Sequence, residues 1–175
     1  MNITVITTSW SATQGVLLVD DRRFECTLGR SGMIMPSDKK EGDGKTPVGT
    51  FPLRQLIYRA DRAQKPVTGL PVEILTPETG WCEDPSHPGY NQKITLPHPS
   101  VHDRMTRKDR LYDYVVVIGY NDAPVVPGKG SAIFMHLAHP DFTPTAGCVG
   151  LRPADMLEVL KCCDKDSRID IRLPV

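Results

Sequence analysis

The chain has 175 residues, with 21 Lys and Arg set against 21 Asp and Glu, so its formal net charge is zero. That balance leaves no electrostatic footprint for nucleic acid or an anionic membrane surface, and no apolar run approaches the roughly 18 residues of a membrane span. Hydrophobic residues make up 39%, enough for a soluble domain with a sizeable core, expected to occupy residues 1–175 as a single unit.

The opening MNITVITTSW has no basic residue ahead of its apolar stretch and no long apolar segment. It reads as a first strand over Asn2–Thr7 and not as a signal peptide. Val16–Asp20 and Arg22–Leu28 are short runs of β-branched or alternating apolar residues, predicted as strands joined by a tight turn at Asp20-Asp21. Gly29–Gly49, rich in glycine and charge, reads as a loop, and Thr50–Tyr58 as a further strand. Pro66–Pro99 is long, polar and rich in Pro and Gly, which suits a surface excursion around a site better than core. YVVVIGY at Tyr114–Tyr120 is continuously apolar and β-branched, the pattern of a buried strand. A loop, Asn121–Gly130, leads to another strand at Ala132–Leu137. One helix is predicted, Pro153–Cys163. Pro153 suits its first turn, and Asp155 and Glu158 early with Lys161 and Lys165 late suit the helix dipole. Met156, Leu157, Leu160 and Cys163 share one face. Ile169–Leu173 closes the chain as a strand, so the expected architecture is mainly β with one helix.

The five cysteines, Cys26, Cys82, Cys148, Cys162 and Cys163, are odd in number and leave at least one thiol outside any disulfide set. A bridge between the neighbours Cys162 and Cys163 is strained, and no CxxC pair marks a structural zinc site. The number alone does not fix the redox compartment. Chemistry concentrates in Ile133–Arg152, IFMHLAHPDFTPTAGCVGLR. A histidine ends a buried strand, a short polar loop follows, then Gly-Cys, then the helix. A thiol near its ordinary pKa of about 8.5 is mostly protonated at neutral pH, and a neighbouring imidazole can take the proton. A strand end holds His136 rigidly, which makes it the candidate base for Cys148. Gly147 lets backbone approach a substrate carbonyl, and backbone N–H groups beside Cys148 are candidate oxyanion donors. Two other readings stand beside this one. Cys148 is a small buried hydrophobe, with His136 a satisfied core histidine and His139 a solvated loop residue. Or His136, His139, Asp141 and Cys148 are metal ligands, against which the segment offers no second histidine at helical i,i+4 spacing.

His136 followed by Thr145-Ala146-Gly147-Cys148 resembles the catalytic signature of the L,D-transpeptidase (YkuD-type) family: a histidine, a spacer, then Ser/Thr-His-Gly-Cys. Glu41–Phe51, EGDGKTPVGTF, is similar to the family's Thr-Pro-x-Gly-x-Phe element. Tyr112–Asn121 leading to Gly130–His136 resembles the strands that carry the family histidine. The resemblance implies a mainly β, sandwich-like catalytic domain with Cys148 as nucleophile and His136 as base. It also implies a backbone carbonyl, mapping near Thr145–Gly147, that orients the imidazole. The implied activity is acyl transfer through a thioester, cross-linking peptidoglycan stem peptides as an L,D-transpeptidase. L,D-carboxypeptidase action, D-amino-acid exchange and non-catalytic wall binding are the alternatives. No cofactor and no metal are implied. The implied partner is peptidoglycan or its muropeptides and the implied place the periplasm or cell wall, with cytoplasmic work on recycled muropeptides as the alternative.

Around the implied cleft, Arg30, Tyr90, Asn91, His139 and Arg152 are the expected substrate contacts, against the ordinary alternative of solvated or loop-bonded side chains. Trp81 and Cys82 are expected in loop packing, and Cys162 and Cys163 on the helix face. Three features depart from the family pattern. Only eight residues separate His136 from Thr145; Ala146 replaces the second histidine; and Gly150 stands where Asn or Arg is usual, with Arg152 as the expected substitute.

Overall fold

The computed structural model describes residues 2–173; Met1, Pro174 and Val175 lie outside them. In chain order the strands are β1 (Asn2–Ile6), β2 (Gln14–Val19), β3 (Arg22–Thr27), β4 (Met33–Ile34), β5 (Thr46–Pro47), β6 (Gly49–Tyr58), β7 (Val72–Ile74), β8 (Thr79–Cys82), β9 (Lys93–Thr95), β10 (His102–Arg104), β11 (Tyr114–Ile118), β12 (Phe134–Leu137) and β13 (Val149–Leu151). A helix α1 (Pro153–Lys161) and a last strand β14 (Arg168–Arg172) follow. The architecture is mainly β and sandwich-like, with a single helix among the described residues.

Alternation along the strands explains their pairing. In β1, Ile3 and Val5 are fully buried; in β2, Leu17 and Val19; in β14, Ile169 and Ile171 between charged neighbours. Each such side chain contributes about 1.5–3 kcal/mol on leaving water. β2 and β3 form the expected hairpin, with Val19 opposite Arg22 and Asp20 in the left-handed region at φ 50°, which Asp tolerates. The main sheet runs β11-β12-β13-β3-β2-β1-β14-β6-β7, and β6 also pairs with β11. Gly49–Pro52 of β6 face β14 and Leu53–Tyr58 face β11, so the ladder runs round a closed ring with β7 outside it.

Two cores result. The main one takes Ile3, Val5, Leu17, Leu56, Val116, Met135, Val149, Leu151 and the buried side of α1. The second takes Ile57, Val115, Val117, Phe134 and Cys148 from the opposite faces of the same strands. It is covered by the small sheet β10-β8-β9, which supplies Trp81, with Leu75 and Met105 beside it. Every residue of β11 is therefore buried, as a continuously apolar strand requires.

Several expectations change. Pro66–Pro99 is not merely an excursion: it holds β7, β8 and β9 and buries Leu70, Leu75, Trp81, Tyr90 and Leu96. Its apolar residues sit singly between turns, so no period announces them. Gly29–Gly49 contains the short parallel pair β4–β5. The helix stops at Lys161, and its buried residues are Met156, Val159 and Leu160, with Leu157 only partly covered. The chain does not pass from Cys148 straight into that helix, because β13 intervenes.

Candidate active site

β13 pairs in parallel with β12: Met135 opposite Val149, His136 opposite Gly150, Leu137 opposite Leu151. Side chains alternate across a strand, so Met135, Leu137, Val149 and Leu151 point to the main core. Phe134, His136 and Cys148 take the other face. Cys148 stands one position before β13, beside Phe134, whose N–H lies 3.4 Å from its sulfur. The imidazole is two positions along the neighbouring strand on that same face. Both side chains, each 6% exposed, line one narrow cleft of about 280 Å³.

The thiol donates to the carbonyl of Ala132 at 3.2 Å. Burial pushes its pKa up to about 12; the Phe134 N–H works against this, while the carboxylates of Asp103 and Glu83 add to it. Burial likewise holds His136 below its ordinary value, only partly offset by the Leu137 carbonyl. The pair therefore rests as neutral thiol and neutral imidazole. Nδ1 of His136 lies 2.8 Å from the Leu137 carbonyl oxygen. A carbonyl only accepts, so Nδ1 carries the proton and Nε2 the basic lone pair. The Tyr112 ring stands 5.3 Å from the imidazole, held by its hydroxyl donating to Asp103 at 2.8 Å and by Arg107 over the ring at 5.1 Å. Half-buried Glu83 has a carboxyl raised to about 7 by burial and then by Asp103 and Glu41.

The turn before Cys148 is tightly tied. Thr145 Oγ1 donates to the Cys148 carbonyl at 2.7 Å and accepts from the Gly147 N–H at 3.1 Å. Gly147 has φ 133°, and a Cβ there would lie 2.8 Å from the Lys45 carbonyl, so only glycine fits. The segment Glu41–Phe51 lies directly behind. Arg30 N–H donates to Thr145 O at 2.8 Å, Ser31 N–H to Gly44 O at 3.0 Å, and Gly29 N–H to Thr46 Oγ1 at 2.8 Å. A thiol, an imidazole and a tightly tied turn thus meet at one cleft. A family model described as the L,D-transpeptidase catalytic domain, YkuD, matches residues 5–171. The chain belongs to the YkuD family of L,D-transpeptidase catalytic domains.

Solved structures similar to this chain include an L,D-transpeptidase from Mycobacterium smegmatis, with 14% identity and a TM-score of 0.40 over 97% of this chain and 58% of that one. L,D-transpeptidase 1 of Mycobacterium tuberculosis gives 14% and 0.40 over 99% and 62%. The helical cell shape determining protein Pgp2 of Campylobacter jejuni gives 18% and 0.40 over 99% and 47%. The chain thus spans only about half to three-fifths of those chains. No curated protein matches it.

Within this YkuD domain, Cys148, His136, Thr145, Arg30 and His139 all border the cleft, with Arg107, Leu111, Tyr112 and the exposed Ala146. Other expectations are corrected. The carbonyl that orients the imidazole belongs to Leu137, whose oxygen lies 2.8 Å from Nδ1, and not to Thr145–Gly147. The Gly147 N–H is already engaged by Thr145, so it is not open to an oxyanion. Tyr90 and Asn91 do not border the cleft. Tyr90 is 1% exposed, its hydroxyl donating to Glu41 and accepting from the Gly130 N–H; Asn91 is enclosed by backbone partners. Arg152 lies in an adjoining hollow of about 470 Å³ that shares Leu111 and His139 with the cleft. Its guanidinium stacks on Phe142 at 4.2 Å and reaches Glu25 at 3.4 Å. Asp141 is exposed beside His139, and no group of three or more His, Cys, Asp or Glu among the described residues is arranged to hold a metal.

Gly150 answers a packing demand rather than a catalytic one, since a Cβ there would sit 2.3 Å from Thr27 Oγ1. Asp103, Glu83 and Arg107 went unmarked by the sequence. They fall in a loop-rich stretch whose charges carry no period.

Proposed function

We propose that this chain is a cysteine acyltransferase acting on peptidoglycan stem peptides, with Cys148 as nucleophile and His136 as base. The observation that carries the reading is the shared face: the imidazole on β12 and the thiol one position before its parallel neighbour β13 open into one cleft. With both groups neutral at rest, the proton leaves sulfur as attack begins. The thiol turns from Ala132 toward Nε2 of His136, and sulfur bonds to the carbonyl carbon of an L-centre–D-residue bond. The carbon–nitrogen bond then breaks, and the leaving amine takes the proton from the imidazolium. An acceptor amine attacks the thioester, gives its proton to His136 and displaces the sulfur, which is reprotonated. Water in place of the amine gives carboxypeptidase release.

Arg30 is the proposed contact for a substrate carboxylate. Of the two arginines on the cleft, Arg107 is forked onto Asp109, at 2.9 and 2.7 Å. Arg30 has no acidic partner among the described residues and lies across Gly44, where an added Cβ would approach its Cζ to 2.9 Å. His139 and the Arg152 hollow extend the same surface. The site of action under this reading is the cell wall or periplasm.

Intact-mass measurement after incubation with disaccharide-tetrapeptide tests the proposal. The expected result is an adduct on the wild-type chain that Cys148→Ala lacks, with cross-linked or trimmed products from the wild type alone. Equal product from both proteins overturns it.

A further inference from the structure

Asn91 is 6% exposed and uses all of its side-chain hydrogen-bonding capacity on named partners. Its Oδ1 accepts from Trp81 Nε1 at 3.0 Å and from the Ala132 N–H at 3.0 Å. Its Nδ2 donates to the carbonyls of Tyr120 at 3.0 Å and Asn121 at 2.8 Å. Ala132, the residue so gripped, has φ 55°. An alanine keeps that left-handed conformation only where its surroundings hold it. The carbonyl of this same Ala132 receives the Cys148 S–H at 3.2 Å.

The sulfur is bracketed by two backbone groups of opposite character. The Phe134 N–H can donate to it, which supports a thiolate; the Ala132 carbonyl can only accept from it, which supports a thiol. Asn91 touches neither the sulfur nor the cleft. It acts through one residue, at the join between the covering sheet β10-β8-β9 and the start of β12.

We propose that Asn91 is a positioning residue for the nucleophile: by fixing Ala132 it aims the carbonyl that keeps the Cys148 thiol protonated and aligned until substrate arrives. The inference rests on Cys148 being the nucleophile of the proposed reaction, but its test reads the thiol directly and needs no peptidoglycan. Releasing the Ala132 carbonyl removes support from the protonated form alone, so the thiol becomes more acidic while its alignment is lost.

The experiment is alkylation of the full chain by iodoacetamide between pH 7 and pH 11, followed at residue 148 by peptide mass because four other free cysteines are present. In Asn91→Ala the pH dependence of the rate is expected to move down by about one pH unit, the size of one lost hydrogen bond. Its kcat on stem peptides is expected to fall with KM nearly unchanged. A fold that is simply looser speeds alkylation at the buried Cys26 and Cys163 as well, whereas the move is expected at residue 148 alone, and a matching rise at all three overturns the proposal. Should Asn91→Ala not fold, Asn91→Gly carries the test. It removes the same amide, and glycine adopts the φ of 55° at position 91 without strain, so the same downward move is expected. A wild-type profile in either folded variant overturns the proposal. A shifted profile in a protein that forms no acyl-enzyme leaves the Asn91–Ala132–Cys148 link standing but overturns the proposed function and, with it, the positioning of a nucleophile.

Discussion

Nδ1 of His136 lies 2.8 Å from the carbonyl oxygen of Leu137, its own successor in β12. One short bond within a strand thus selects the tautomer, leaving Nε2 as the proton acceptor on a ring that Tyr112 flanks at 5.3 Å. Replacing His136 with Ala is expected to lower kcat by about 10²–10⁴-fold, the usual share of a general base. Steady-state kinetics on stem peptides checks this, with circular dichroism confirming that the variant folds.

The pH dependence follows from the direction of the His136 shift. Burial lowers its pKa below the ordinary 6.5, so the ring stays neutral, and able to accept a proton, as pH falls below that point. Activity is expected to persist into mildly acidic solution, with the acid limb of kcat/KM centred below 6.5. Stability has the same sign: the part owed to neutral His136 is present above 6.5 and is lost as pH falls through the lower folded value. Wild type and His136→Gln, melted at a series of pH values, should diverge in that window.

Gly150 and Thr27 face each other across β13 and β3, and an added methyl would overlap the Thr27 hydroxyl at 2.3 Å. Gly150→Ala is expected to cost about 1–3 kcal/mol through overpacking, read as a lower urea midpoint. The Thr27 hydroxyl is itself buried and without a hydrogen-bond partner among the described residues. Thr27→Val, which removes an unsatisfied group, should leave stability unchanged or raise it by about 1 kcal/mol.

Lys39 is 2% exposed, and its ammonium rests on Asp43 at 2.6 Å. Burial would raise the Asp43 carboxyl, but Lys39 and two backbone N–H groups hold it below its usual value. Asp43→Ala leaves a buried cation uncompensated and is expected to cost about 3–5 kcal/mol. The same loop carries the Lys45 carbonyl against Gly147 of the Cys148 turn. Activity measured well below the new midpoint should therefore fall further than the folded fraction does.

Arg30→Gln is expected to raise KM by about tenfold or more for a donor with a free carboxylate, with kcat little changed, as for loss of one charge-assisted bond. A donor whose terminal carboxylate is capped as the amide should show little difference between wild type and variant. Equal KM changes for both donors would exclude a carboxylate role for Arg30.

The short β-branched runs, the Asp20-Asp21 turn, the helix with Pro153 at its start and the Cys148–His136 pairing of residue types were all legible in the sequence, because burial period and turn chemistry are local properties. Val149–Leu151 was not legible: three residues are too few to carry a period, and only pairing with β12 and β3 makes them a strand. That pairing decides which face Cys148 shares with His136. Likewise nothing near Asn91 announces its grip on Ala132, 41 positions away, and nothing near β6 announces its third partner β11. Local sequence encodes which residues leave water; which strands then lie side by side is settled by packing across the whole chain, and that packing converts two candidate residues into one cleft.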